Sequence, residues 1–431
     1  MNIKNFVKIF IQKNKTLLRN FSSLTALQIS QYIFPIVTFP YLVRVLGPDG
    51  YGLVSFANAF IGYFTVLTDY GFNLSATKDI SLNRNNQKKI EEIFYSVLGV
   101  KLLLLLISIL ILIPVVLFFS KFNDNAMIYI VSFFAVFGTA IFPIWFFQGI
   151  EEMGYISWIS IIVKILWVVS IFLFVKSKDD IIILVWLNSL SSIITGVIGL
   201  WVSKIRFKLK LFIPSIEQIK FQLEDSWHYF LSNVSVSLYT ISNIFILGLF
   251  TNDTIVGYFS AADKIRYAVQ NMTSTAGRTI FPHLSTEFSK SRKAGFSFVR
   301  KYVKSMGSFI LLLSILLFIF SEQIVLLVLG PEYLKSVTIL KILSFLPFII
   351  FVSNVAGIQT MVNLGYKKEF AKIIIIAGVL NIILSFIIVP YYLEIGSSIA
   401  VLVTELVVTF NMLVFLRKKN IHIFKKASVE L

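Results

Sequence analysis

Arg44, Lys101, Lys164, Lys341, the acids Asp69 and Glu405, and the Asp263, Lys264, Arg266 and Arg278 group each sit inside or at the edge of a long apolar run. A charge at the centre of a bilayer costs about 2.5–3.5 kcal/mol on insertion scales, so each of these needs a route to water, a partner or a function. Lys101, Arg278 and Lys341 fall within roughly 5–10 Å of the expected ends of their runs at 1.5 Å per residue, a distance that a long aliphatic stem can snorkel. Arg44 precedes a GPDG stretch, and either reaches the headgroups or lines a cavity. Lys164 and Glu405 lie about nine residues in, roughly 14 Å deep, where either an interhelical ion pair or a functional cavity must account for them. Asp263 and Arg266 are three apart on one helix face and suit a local salt bridge, which leaves Lys264 over. Asp69, in LTDYGFN, is a helix-end acid or a cation-coupling site. Cations outnumber acids inside both halves, which suits an anionic ligand such as a phosphate or diphosphate.

The elements that carry these residues follow from composition. The chain of 431 residues is 57% hydrophobic with 43 Phe and a mean hydropathy of +0.84, beyond the range of ordinary soluble domains. About twenty apolar residues cross the roughly 30 Å of hydrocarbon as helix. Spans are expected at 24–46, 52–74, 94–120, 126–148, 155–176, 180–203, 226–250, 255–284, 302–328, 337–361, 369–391 and 396–416. Strand-period alternation is missing, which excludes an outer-membrane barrel. The fold class is therefore an all-α integral membrane protein with about twelve spans.

The net charge of +17 belongs to topology and not to nucleic acid. Lys and Arg gather at the N-terminus, in 75–93, 204–225, 285–301 and 362–372, and after 416, while the alternate connections are short and carry few of them. By the positive-inside rule both termini are cytoplasmic. Residues 1–23, rich in Lys and Arg, read as a retained amphipathic segment, since no small-residue cleavage site follows. The chain has no cysteine, hence no disulfide or thiol chemistry, and its three histidines are widely spaced. No phosphate-binding glycine loop, nucleophile–base pair or ATP site is apparent.

Two echoes indicate duplication. GLVSFAN at 52–58 matches GYFSAAD at 257–263, an offset of 205, and Gln148, Gly154 and Tyr155 match Gln359, Gly365 and Tyr366, an offset of 211. An even number of spans per unit gives two six-helix lobes in the same orientation, related by an axis along the membrane normal. The expected domains are an N-lobe at 24–203, a basic linker at 204–225, a C-lobe at 226–416 and a basic tail at 417–431. Pro35 and Pro40 are expected to bend the first span. Asn58, Asn243 and Gln148 offer interhelical hydrogen bonds or sugar contacts.

The stretches YLVRVLGPDGYG (41–52), LTDYGFNLSATKDIS (67–81), FPHLS (281–285) and VLGPEYLKS (328–336) resemble the Wzx polysaccharide repeat-unit flippases of the multidrug/oligosaccharidyl-lipid/polysaccharide exporter superfamily. The resemblance covers nearly the whole chain. It implies a two-lobed bundle in the bacterial cytoplasmic membrane that carries undecaprenyl-diphosphate-linked oligosaccharide outward by alternating access. Membrane lipids are its surroundings, and the pathway's polymerase and chain-length regulator its possible partners. It implies a cationic cavity, for which Arg44, Lys101, Lys164, Lys264, Arg266 and Arg278 are candidates. No cofactor is implied. The drive would be the membrane potential, or a proton or sodium gradient acting through Asp69, Asp263 or Glu405. The alternatives are a multidrug antiporter of the same superfamily, disfavoured by the basic interior, and a membrane-embedded polymerase or glycosyltransferase, disfavoured by the short outer connections. The peptidoglycan-precursor flippase branch shares the fold and the cationic cavity, but the GPDGYG and TDYGFNLSATKDIS stretches favour the polysaccharide branch.

Overall fold

Gly47 sets the first corner of the chain. The GPDG stretch reads as a turn in sequence, but the reversal is concentrated in one residue: Gly47 adopts φ 67° and ψ 178°, and Pro48, Asp49 and Gly50 already belong to the following helix. Glycine alone takes that angle without strain, and proline is preorganised for a helix's first position, so a separate loop is unnecessary. Pro35 and Pro40 keep helical dihedral angles, since Gly47 is the one non-helical residue within Lys15–Asp69.

The computed structural model describes residues 15–421 and 423; nothing is placed for 1–14, 422 or 424–431, nor for the side chains of 15–18, 235, 236, 238, 239, 272–276 and 278. Most of the expected amphipathic segment and the end of the basic tail therefore lie outside the described residues. The helices are α1 (Lys15–Asp69), α2 (Phe72–Leu82), α3 (Gln87–Phe118), α4 (Ser120–Asn123), α5 (Ala126–Ile141), α6 (Ile144–Gly149), α7 (Gly154–Phe174), α8 (Ile181–Arg206), α9 (Ile216–Thr240) and α10 (Ser242–Phe250). They continue as α11 (Asp253–Lys290), α12 (Arg292–Tyr302), α13 (Ser308–Ile319), α14 (Ser321–Val328), α15 (Ser336–Leu343), α16 (Leu346–Asn354) and α17 (Lys367–Lys418). Single π-helical stretches at Val303–Gly307 and Val355–Val362 join neighbouring helices, and no strand occurs among the described residues.

Among the described residues, eight helical stretches are long and apolar enough to cross a membrane. Two of them, Arg19–Leu82 and Lys367–Lys418, are long enough to cross twice, turning at Gly47 and at Leu393 (φ 50°). The more polar α9–α10 pair and α11 bring the total to the expected twelve.

The chain packs as two compact units. The first takes the chain up to Leu46 together with Ala57–Val234, and its core gathers Phe72, Ile80, Val97, Val100, Trp145 and Phe147, all nearly inaccessible. The second takes Gly47–Phe56 with Ser235–Leu431 around Leu284, Ile310, Val355, Ala356 and Met361. Interhelical polar contacts supplement van der Waals packing where lipid supplies no hydrophobic drive. One example is the Ser189 hydroxyl, which donates to the Val131 carbonyl at 2.6 Å.

The second sequence echo is out of register by three residues. In the first half, the N–H of Glu152 donates to the Phe147 carbonyl (2.9 Å) around left-handed Glu151; in the second, Tyr366 donates to Met361 (2.9 Å) around left-handed Gly365. The same helix-ending turn thus recurs at an offset of 214, pairing Gly365 with Glu151 and not with Gly154.

Candidate functional site

In the first unit, α1 ends at Asp69 because Tyr70 (φ 47°) and Gly71 (φ 82°) turn left-handed before α2 resumes. A carboxylate at a helix C-terminus is opposed by the helix dipole and needs compensation. Asp69 Oδ1 accepts from Asn73 Nδ2 at 2.8 Å and from Lys101 Nζ at 3.5 Å. Lys101 is only 2% exposed, so it does not snorkel: it crosses from α3 to neutralise the acid.

Lys164 is half-buried on α7 with its Nζ 3.4 Å from the centroid of the Trp167 ring. The indole is fixed in turn, since Trp167 Nε1 donates to Asn188 Oδ1 on α8 at 2.8 Å. A cation over tryptophan is stabilised by ~0.5–2 kcal/mol according to its desolvation. Trp167 and Asn188 escaped sequence reasoning, although a tryptophan three residues after an intramembrane lysine was the available signal. Arg44 is exposed three residues before Gly47, where it complements the C-terminal end of the first segment of α1.

In the second unit, the expected local bridge forms: Arg266 Nε donates to Asp263 Oδ1 at 3.0 Å, and Nη2 bonds the same oxygen. Lys264 remains exposed on α11, and the side chain of Arg278 lies outside the described residues. Glu405, on α17, is 6% exposed, and no hydrogen bond or ion pair reaches it from any described residue. It lines a cavity of about 170 Å³ with Ser353, Asn354, Phe370 and Met412, beside the π-helical stretch Val355–Val362. Asn243 accepts from Ser385 (3.4 Å) and Gln148 from Thr77 (3.4 Å), so these two act as interhelical ties, while Asn58 is exposed.

The first sequence echo corresponds to a reciprocal contact inside the second unit. A Cβ on Gly52 would stand 1.7 Å from the Asp253 carbonyl oxygen, and one on Gly257 would stand 1.9 Å from that of Pro48. Positions 48 and 253, like 52 and 257, are equivalent at the offset of 205. Asp49 and Thr254, equivalent at the same offset, are hydrogen-bonded at 2.5 Å. Residue i touches j as the equivalent of j touches that of i, which is the signature of a two-fold axis, here a local one.

Twelve crossings, a repeated segment in reciprocal contact inside the second unit, and charges buried within the spans define a polytopic helical membrane protein of the transporter class. The chain belongs to the polysaccharide biosynthesis protein family, whose model matches residues 17–288. It is 35% identical over 414 residues, 94% of its length and 98% of the relative's, to a protein of Escherichia coli (strain K12) named putative O-antigen transporter. A Haloferax volcanii protein named probable low-salt glycan biosynthesis flippase Agl15 is 25% identical over 84% of this chain and 75% of its own. The fold is that of the lipid II flippase MurJ in an inward closed conformation, with a TM-score of 0.72 at 16% identity over 92% of this chain and 87% of that one.

Proposed function

We propose that this protein is a lipid-linked oligosaccharide flippase. It moves undecaprenyl-diphosphate-linked repeat units from the inner to the outer leaflet of a cytoplasmic membrane by alternating access, for O-antigen, capsule or exopolysaccharide assembly. The near-full-length similarity to a protein named as an O-antigen transporter carries this reading. No bond is made or broken: the lipid tail stays in hydrocarbon, while sugar and diphosphate, which would cost many kcal/mol to desolvate, need a wet basic path. Both termini lie on the cytoplasmic side, and the pathway's polymerase and chain-length regulator are the partners to seek. The decisive experiment is the content of undecaprenyl-linked glycans in cells lacking the gene. Accumulation of complete lipid-linked oligosaccharide on the inner leaflet, cleared when the gene is restored, supports the reading; unchanged glycans refute it and favour the multidrug antiporter.

Among the six candidate cations, Lys101 and Arg266 are already neutralised by carboxylates. Lys164 is the cation to test first, because it lies deep within its span with its Nζ 3.4 Å from the Trp167 ring centroid. Lys164→Ala is expected to reduce flipping by at least tenfold with the protein level unchanged, and Lys164→Arg to keep most of it. Equal loss in both variants would assign Lys164 to packing.

For the drive, two uncompensated charges moving outward across 100 mV gain ~4–5 kcal/mol, so dissipating the potential in proteoliposomes is expected to slow flipping. Glu405 is the candidate for a coupled cation, because it is buried on a cavity and no described residue pairs with it. Glu405→Gln keeps the shape and removes the ionisable group. It is expected to abolish the response to a proton or sodium gradient while the response to potential survives. A gradient response identical to wild type would exclude Glu405.

A further inference from the structure

Helices α2 and α9 close against one another in antiparallel register within the first unit. Gly71 packs so tightly on Tyr229 that a Cβ there would stand 2.5 Å from the Tyr229 Cβ, and the rings of Tyr70 and Phe230 stack at 4.4 Å. One turn further, the hydroxyls of Ser75 and Ser226 are hydrogen-bonded at 2.7 Å, both side chains being fully buried. Four residues on along α2, and four back along α9, the register sets Asp79 opposite Gln222 and its neighbour Asp225. There the complementarity stops. Gln222 is 4% exposed, yet its Oε1 has no hydrogen-bond partner, and neither has the buried Oδ2 of Asp225. The seam is zipped by an aromatic stack and a hydroxyl pair, and ends at two buried acceptor oxygens, Gln222 Oε1 and Asp225 Oδ2, that accept no hydrogen bond.

We propose that Asp79, Asp225 and Gln222 form a proton-binding site that latches the α2–α9 seam. A proton on the Asp79 carboxyl supplies a donor at this end of the seam, and once it is lost the repulsion of the Asp225 charge loosens the seam. The charge environment agrees. Burial raises the Asp79 carboxyl above the usual carboxylate range and Asp225 raises it further, while Lys78 on the same helix and Lys89 on α3 oppose the rise. The other charges nearby are committed elsewhere: Arg84 pairs with Glu151 at 2.8 Å and Lys220 with Glu224 at 3.8 Å. The neighbouring α6 carries no charged residue, and His228 on α9 is exposed. Asp79 falls in the 75–93 connection, beyond the expected end of the second span, and Asp225 just precedes the expected span at 226–250. Because the closed seam raises the carboxyl, closure is fully supported at low pH and is lost as pH rises through the raised value.

The chain has no cysteine, so Leu74→Cys and Trp227→Cys, at exposed positions on the two helices, give a single pair of spin labels across the seam. Electron–electron distance measurement in nanodiscs from pH 4 to pH 8.5 is expected to show a short-distance population that falls as pH rises. The closed-to-open ratio should change by up to about tenfold per pH unit, the limit for one proton. Asp79→Asn and Asp225→Asn should each hold the short population throughout, and His228→Gln should titrate like the parent. A pH-independent distance in the parent pair overturns the proposal without any further variant, as do Asn variants that titrate like the parent. No substrate is needed, so failure here leaves the flippase reading untouched.

Discussion

Gly52→Val is expected to yield protein that neither folds stably nor supports transport, and Gly257→Val the same. The first side-chain atom would lie 1.7 Å from one backbone carbonyl oxygen, or 1.9 Å from the other, and a backbone cannot rotate aside as a side chain can. Forcing atoms into a packed interior costs roughly 1–3 kcal/mol where side chains can yield, and a helix–helix contact through the main chain belongs at or above that range. The helices must separate near Pro48 and Asp253, breaking the Asp49–Thr254 hydrogen bond between them. Thermal unfolding in detergent and the lipid-linked glycan assay are the measurements. Gly154→Ala is the control, because a Cβ there meets only the Ser23 hydroxyl at 3.7 Å and should change neither. Wild-type melting of Gly52→Val would mean that the close approach of α1 and α11 is not part of the folded protein.

The second large effect concerns Lys101 and Asp69. Removing one partner of a buried pair leaves an uncompensated charge and costs ~3–5 kcal/mol; with Asp69 27% exposed, the lower end applies. Lys101→Ala is therefore expected to lower the melting point sharply, with Asp69→Asn milder because Asn73 retains an oxygen to bond. The double variant Lys101→Met with Asp69→Asn should recover much of the loss, since removing both charges together leaves neither ion uncompensated. If Lys101→Ala melts like wild type but cannot flip, Lys101 binds substrate and is not a structural counter-ion. Lys101→Met alone closes the cycle with Asp69→Asn and the double variant, and the coupling so measured is the strength of the pair.

The arrangement of spans was legible because it is a local property. Twenty apolar residues must be helical in hydrocarbon whatever they pack against, so the expected ends at 46, 148, 250 and 361 fall within a few residues of Leu46, Gly149, Phe250 and Val362. The expected spans at 226–250 and 255–284 fall on helices, α9–α10 and α11, that are not among the eight long and apolar enough to cross by composition alone. Turn chemistry was read less well. GPDG signals a reversal, but that Gly47 alone makes it depends on how Pro48 continues into helix, and the echo at Gly154 and Tyr155 matched residue types while missing the register that left-handed Glu151 sets.

By itself, then, the sequence determined the class of protein, its twelve crossings, its duplication at 52 and 257, and the set of intramembrane charges that demand explanation, since each is a matter of composition, spacing or burial cost. It also contained the Asp263–Arg266 bridge, because three residues on a helix fix a geometry. Only the tertiary structure decided how the charges are spent. Lys101 meets Asp69 from 32 positions away, Trp167 finds Asn188 across two helices, Glu405 is left facing a cavity, and Asp79 and Asp225 end a seam between helices far apart in the chain. Those partners are chosen by which helix faces pack together. That choice depends on side-chain shape summed over whole interfaces, which no short stretch of sequence encodes.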